Sequence, residues 1–224
     1  MAAEEQVGTV IATDYDEIDG LSGERILARN VPYEEYLTGK YGRHTEWVNE
    51  VVIAMSPVNE VHDGLTLFLI VLLDYYIHLT GGGRVLHEPM VMKAAPHLPG
   101  RQPDIQVLLP DRMQYLQATQ VVGPASLVVE VVSPESLHRD RGAKFREYEE
   151  GGVQEYWILD PERKEALFYV LSEDRLFYSR LPENGVSTSY VLPKLKLKVD
   201  LLWQEKLPTT PEVVEMVKQM LVEE

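Results

Sequence analysis

The sequence predicts an α/β fold in which a mixed β-sheet is flanked by helices, with extra β-hairpins on the C-terminal side. Three observations carry this. Apolar runs of strand length recur at Ile105–Leu109, Leu127–Val132 and Tyr156–Leu159. Between the last two lies a charged stretch, Leu137–Glu150, closed by Gly151-Gly152, which has helical length and a helix stop. Ahead of them all, Glu60–Leu79 is apolar over too long a run for a strand, so its length decides for a helix.

The elements follow in order. Residues 1–24 are acidic and punctuated by glycine, and an acidic N-terminal arm is expected over residues 1–30. Val31–Leu37 reads as a short helix with Pro32 near its first turn. Thr45–Met55 reads as a hairpin or two short strands, ended by Ser56-Pro57. The helix over Glu60–Leu79 is apolar on nearly every side and must be covered by a sheet and also by a partner chain. Gly81-Gly82-Gly83 ends it. This triple glycine is not a phosphate loop, because no Gly-Lys-Ser/Thr follows and the glycines close a helix instead of opening one.

Arg84–Met92 is a predicted strand and Pro96–Gly100 a loop. After the central runs, Ala166–Leu171 and Arg175–Arg180, separated by Ser-Glu-Asp, form a predicted hairpin, and Val186–Leu192 and Leu195–Leu201 are further strands. Pro211 opens an amphipathic helix with Val213, Val214, Val217, Met220 and Leu221 at helical spacing, within a C-terminal segment 203–224. The principal domain is expected over residues 31–202.

Composition narrows the function classes. The chain has 224 residues, 45% hydrophobic and 25% charged, an ordinary globular balance. It has no cysteine, which excludes disulfides, thiol catalysis and cysteine metal sites and agrees with a cytoplasmic protein. No zinc-type His spacing such as HExxH occurs. No stretch reads as a membrane span or a signal segment. The net charge of −15 argues against coating nucleic acid non-specifically. Residues 84–146 nevertheless hold more bases than acids, which allows a local site for an anionic ligand.

Two of the apolar strands carry a carboxylate. Glu130 interrupts Leu-Val-Val-Glu-Val-Val, and a carboxylate buried without partners is strongly unfavourable, so it must be paired, protonated or bound to a cation. Asp104 opens the strand Ile105–Leu109. Two strands of one sheet offering carboxylates at a comparable height make an oxygen-rich site for Mg²⁺ or Mn²⁺. Lys144 lies seven residues after Leu137 and four before Tyr148, so it sits on or beside the inward stripe of its helix, where a long stem can lay an ammonium over the carboxylates. A cation, two acids and a lysine suit phosphodiester hydrolysis, where the lysine positions or deprotonates the attacking water.

The residues Pro103-Asp104, Glu130-Val131-Val132-Ser133-Pro134, Asp140-Arg141-Gly142-Ala143-Lys144, Tyr148 and Val153–Pro161, taken in order, closely resemble the Uma2 family of the PD-(D/E)XK nuclease superfamily. Glu46-Trp47-Val48-Asn49, Met55-Ser56-Pro57 and His62 resemble the family's N-terminal signature, and the resemblance spans Val31 to Leu202. It implies a restriction-endonuclease-like core of order αβββαβ: a helix at 60–79, strands at 84–92, 103–109 and 126–132, a helix at 137–150 and a strand at 154–159. It also implies Asp104 and Glu130 as metal ligands. The superfamily's usual lysine, two residues after the acid, is replaced here by Val132, and Lys144 stands in for it from the helix.

The function expected is a Mg²⁺/Mn²⁺-dependent endonuclease acting on DNA, with Asp104, Glu130 and Lys144 catalytic, in a homodimer. Two alternatives stay open: a weakened nuclease fold serving as a nucleic-acid-binding or assembly module, and a hydrolase of small phosphoesters. Tyr156 and Trp157 are read as core aromatics, and Arg139, Arg141 and Arg146 as a solvated helix face able to touch phosphates. Glu46 and His62 are lesser candidates for the site.

Overall fold

The computed structural model describes residues 25–134 and 136–222. The expected acidic arm therefore lies outside the described residues over 1–24, while its last part forms β1 (Arg25–Ala28). There follow α1 (Tyr33–Tyr36), β2 (Thr45–Val48), β3 (Val51–Ala54), α2 (Glu60–Thr80), β4 (Arg84–His87), β5 (Val91–Lys93), β6 (Gly100–Arg101), β7 (Ile105–Leu108), β8 (Gln120–Val122) and β9 (Leu127–Val131). Then come α3 (Lys144–Gly151), β10 (Glu155–Asp160), β11 (Glu165–Leu171), β12 (Phe177–Ser179), β13 (Val186–Thr188), β14 (Lys196–Lys198) and α4 (Thr210–Val222).

The central sheet has the order β12-β11-β10-β9-β7-β4. β9 runs antiparallel to β7 and parallel to β10, so the sheet is mixed. The parallel pair needs a crossover, and α3 supplies it. All residues of β7, β9 and β10 are buried, which explains their near-continuous apolar sequence.

Period-two alternation then decides what each face meets. Leu127, Val129, Val131, Trp157 and Leu159 pack with α2, whereas Val128, Val132, Tyr156 and Ile158 pack with Tyr148 of α3. Glu130 has the same parity as Val128 and Val132, so its side chain goes to the α3 face.

Asn59 caps α2 by accepting the His62 backbone N–H at 2.9 Å, and Gly81 closes it in the left-handed conformation at φ 100°. A side chain at Gly83 would bring a Cβ to 2.6 Å from the Leu108 carbonyl oxygen, so glycine is required where the chain turns back into β4.

Several expectations change. Arg84–Met92 is two strands in different sheets: β4 pairs with β7, and β5 with β6 and β8. The break falls at Glu88-Pro89, where proline has no N–H to give a ladder. The predicted loop after Pro96 ends in a short strand, β6, which helps build a second six-stranded sheet, β1-β3-β2-β6-β5-β8. That sheet was not foreseen, because its strands have two to four residues and no long periodic run. The expected hairpin at Thr45–Met55 is present, turned at Asn49 and Glu50, both at positive φ.

The two late strands shrink to the pair β13–β14, and Val199–Trp203 winds into a 3₁₀ turn. By length and hydropathy α2 could cross a bilayer, contrary to the sequence reading. Its apolar sides are instead used within the fold: it packs on the central sheet and against α4, whose Val213 and Val217 are fully covered. Much of the cover expected from a partner chain is thus supplied by α4.

Candidate active site

Asp104 precedes the paired residues Ile105 and Val129, and Glu130 follows them. Antiparallel pairing therefore sets the two carboxylates side by side at the end of the β7–β9 ladder, on the α3 face. Both line one narrow cavity of about 30 Å³, with His62, Glu88, Ser133, Ser136, Arg139, Asp140 and Lys144 among its walls. That is room for a water or two or a bare cation.

Lys144 is the hub. It is 1% exposed, and its Nζ donates to Glu130 Oε1 at 2.9 Å. Glu46 Oε1 stands 3.3 Å from the same ammonium. Asp140 Oδ1 is also at 3.3 Å, at ion-pair distance but without hydrogen-bond geometry. Burial alone would lower the lysine pKa; the carboxylates of Glu130, Glu46 and Asp140 outweigh it and hold the ammonium above its ordinary value. That direction favours the ammonium form, which suits charge stabilisation and positioning better than deprotonating water.

Glu130 accepts a second hydrogen bond on the same oxygen, from Tyr148 Oη at 2.8 Å. Burial pushes its carboxyl well above the usual range; Lys144 pulls it down, and Asp140, Asp104 and Glu46 push it further up. Among the described residues, every hydrogen bond and ion pair of Glu130 goes to Oε1, and every one of Asp104 goes to Oδ2.

Behind Lys144, Glu46 comes from the second sheet and is completely buried. Its Oε2 accepts from Arg101 Nη1 at 2.8 Å and its Oε1 from the Gln102 backbone N–H at 3.2 Å. Arg101 also grips Glu147 of α3 through Nε and Nη2, both at 2.7 Å. Burial raises the Glu46 carboxyl, and Lys144, Arg101 and Arg139 overcome this and bring it down to about 2.

The structure thus brings together Asp104, Glu130 and Lys144, places the lesser candidates Glu46 and His62 beside them, and adds Asp140 and Tyr148. Asp140 lies one helical turn before Lys144, a spacing visible in the sequence. Glu46 was a lesser candidate through the N-terminal signature alone, since its partner Arg101 is 55 residues away in the chain and no local spacing shows the pairing. Arg139 is 7% exposed and lines the cavity, so it does not belong to a solvated face; it opens a π-helical stretch, Arg139–Ala143, that precedes α3. Arg141 pairs with Asp160 and Glu165, and Arg146 is exposed. Tyr156 and Trp157 are core residues at 0% and 1% exposure.

The donor set fits a hard divalent cation. No group of three or more His, Asp or Glu side chains forms a metal cage among the described residues. Mg²⁺ does not require one, because it is commonly held by one or two carboxylates with water and phosphate completing the shell. The lining agrees: among the described residues, four acidic side chains (Glu88, Asp104, Glu130, Asp140) outnumber two basic ones (Arg139, Lys144), a surplus of oxygen donors that suits a cation.

Comparison with known proteins gives the fold and the family. No curated protein matches the chain. A crystal structure from Anabaena variabilis, described as that of "a putative nuclease belonging to DUF820", superposes with a TM-score of 0.58 at 15% identity, covering 71% of this chain and 89% of that one. At that identity the likeness shows the fold, which is restriction-endonuclease-like. Residues 33–200 match the Uma2 profile, described as "Putative restriction endonuclease", and the chain belongs to the Uma2 family.

Proposed function

We propose that this chain is a Mg²⁺- or Mn²⁺-dependent endonuclease that hydrolyses DNA phosphodiester bonds. The observation that carries the reading is the pair Asp104–Glu130 on one cavity, with the Lys144 ammonium on the inner oxygen of Glu130. Asp104 Oδ1 and Glu130 Oε2 are the atoms that would hold the cation. A cation held there would polarise the scissile phosphoryl group and lower the pKa of a bound water.

The protein's own groups supply the rest. Lys144 and Tyr148 fix the Glu130 carboxylate. The Lys144 ammonium, lining the cavity, offsets the negative charge that grows on the phosphoryl oxygens. Glu46 and Arg101 hold Lys144 from behind, so the ammonium does not reorganise during the reaction.

Supercoiled plasmid is the test substrate. Nicking that requires Mg²⁺ or Mn²⁺, stops with EDTA and is absent in Glu130→Ala supports the reading. Equal residual activity in wild type and Glu130→Ala would refute it.

A second reading draws on the saturation of Lys144 by three carboxylates and on the small cavity: a nuclease fold that binds nucleic acid without cutting it. It predicts DNA binding that Glu130→Ala leaves unchanged.

A further inference from the structure

We infer that His62 is a positioning residue that sets how Asp104 presents its carboxylate to a divalent cation. The inference rests on the metal-dependent reading above.

His62 is the third residue of α2, and its backbone N–H is held by the Asn59 side chain at 2.9 Å. The imidazole is therefore delivered by the end of a 21-residue helix whose body is locked into the core. The ring is 8% exposed at the side chain, and Nε2 stands 3.3 Å from Asp104 Oδ2. The backbone N–H of Val131 donates to that same oxygen at 2.6 Å, from the neighbouring strand. One oxygen is thus addressed by two elements, α2 and β9.

The consequence is geometric. The terminal torsion of an aspartate is soft, so an unrestrained carboxylate turns freely about it. With Oδ2 hydrogen-bonded to the Val131 N–H and flanked at 3.3 Å by His62 Nε2, the carboxylate is held through that oxygen, and Oδ1 is the oxygen left to a cation, as a single-oxygen ligand. His62 lines the cavity but does not itself act as a ligand here, because its Nε2 is engaged with Asp104.

The arrangement does not need a charged ring. Nδ1 lies 3.5 Å from the Thr66 hydroxyl, which can donate to it and leave the proton on Nε2, facing Asp104. Neutral and protonated rings both present an N–H at Nε2. Partners that orient a metal ligand from behind are typically worth about 10–100-fold in metal affinity.

The test is Mn²⁺ binding by isothermal titration calorimetry, with metal-free melting temperatures alongside, for wild type, His62→Ala, His62→Gln and Asp104→Ala. His62→Ala is expected to bind Mn²⁺ about 10–100-fold more weakly. His62→Gln is expected to recover part of the loss, since its side-chain amide N–H can replace Nε2–H. Wild type and His62→Ala binding Mn²⁺ alike would overturn the inference while leaving the metal reading intact. So would a loss shared equally by Ala and Gln together with a fall in metal-free melting temperature, which marks His62 as merely structural. Wild type and Asp104→Ala binding Mn²⁺ alike would remove the metal reading itself, and this inference with it.

Discussion

Lys144 Nζ and Glu130 Oε1 meet at 2.9 Å although one comes from a helix and the other from the strand that the helix covers. Val132, two residues beyond Glu130 on the same face, is 3% exposed and packs among apolar side chains. The ammonium of this site therefore descends from α3 instead of standing beside the acid on its own strand. Once it is in place, two more carboxylates from separate elements, Glu46 and Asp140, share it.

Removing that shared cation should be costly. Lys144→Met leaves Glu130, Glu46 and Asp140 without their common partner, and breaking a buried pair from one side typically costs about 3–5 kcal/mol. Urea unfolding at pH 7 should show a loss of that order. Metal-dependent nicking by the surviving folded protein should fall about 100-fold or more. A variant that is as stable and as active as wild type would remove Lys144 from both roles.

Acid stability should depend on Glu46. Its folded pKa of about 2 lies below the ordinary 4.5, so its contribution is present above pH 4.5 and is lost as pH falls through about 2. The shift corresponds to roughly 3 kcal/mol. Glu46→Gln should lose that stability at pH 7 and flatten the acid limb of a stability–pH curve. Glu130 has the opposite sign: its folded pKa is raised, so its contribution is full below pH 4.5 and declines as pH rises through the folded value. Glu130→Gln should therefore cost less than Glu46→Gln at neutral pH, and unfolding curves of the two variants side by side decide it.

Tyr148 isolates one hydrogen bond. Tyr148→Phe deletes the hydroxyl that donates to Glu130 at 2.8 Å and keeps the ring that fills the core. A single intramolecular hydrogen bond is worth about 0.5–1.5 kcal/mol net, so a loss in that range is expected. Activity should fall less than in Lys144→Met, because the ion pair remains. Nicking rates of the two variants, measured together, test the ranking.

Moving the lysine back to the strand should fail. The double variant Lys144→Met, Val132→Lys places an ammonium in the apolar cluster around Tyr148 and Tyr156. Burying a charge without a partner costs several kcal/mol. The double variant should be less stable than Lys144→Met alone and should recover no nicking. Recovery would mean that the strand position can serve the same carboxylate.

Self-association is a separate proposal. α4 covers much of α2, yet Leu67 of α2 remains 59% exposed. We propose a symmetric dimer that uses this side of α2. Light scattering should give twice the chain mass for wild type and a monomer for Leu67→Glu. A monomeric wild type would remove the idea.

The amino-acid sequence by itself determined the core of the fold. The strands β7, β9 and β10 are buried on both faces, so nearly every position must be apolar, and an acid among them stands out. This is why Glu130 was visible within its strand, and Asp104 at the head of the apolar run that follows it. The helix α2 was visible because its largely apolar stretch is too long for a strand. Lys144 was visible through its spacing from Leu137 and Tyr148.

Tertiary structure decided the rest. The second sheet is made of strands of two to four residues whose pairing partners lie far along the chain, and local periodicity cannot reveal such pairings. It carries Glu46, whose burial is intelligible only once Arg101, 55 residues away, and Lys144 are beside it. The same holds for His62 and Asp104, which are separated in the chain and meet because helix capping and strand register bring them together. Whether Lys144 is a base or a fixed cation also depended on assembly: a lysine's charge state is set by the carboxylates folding places around it, not by its position in the sequence.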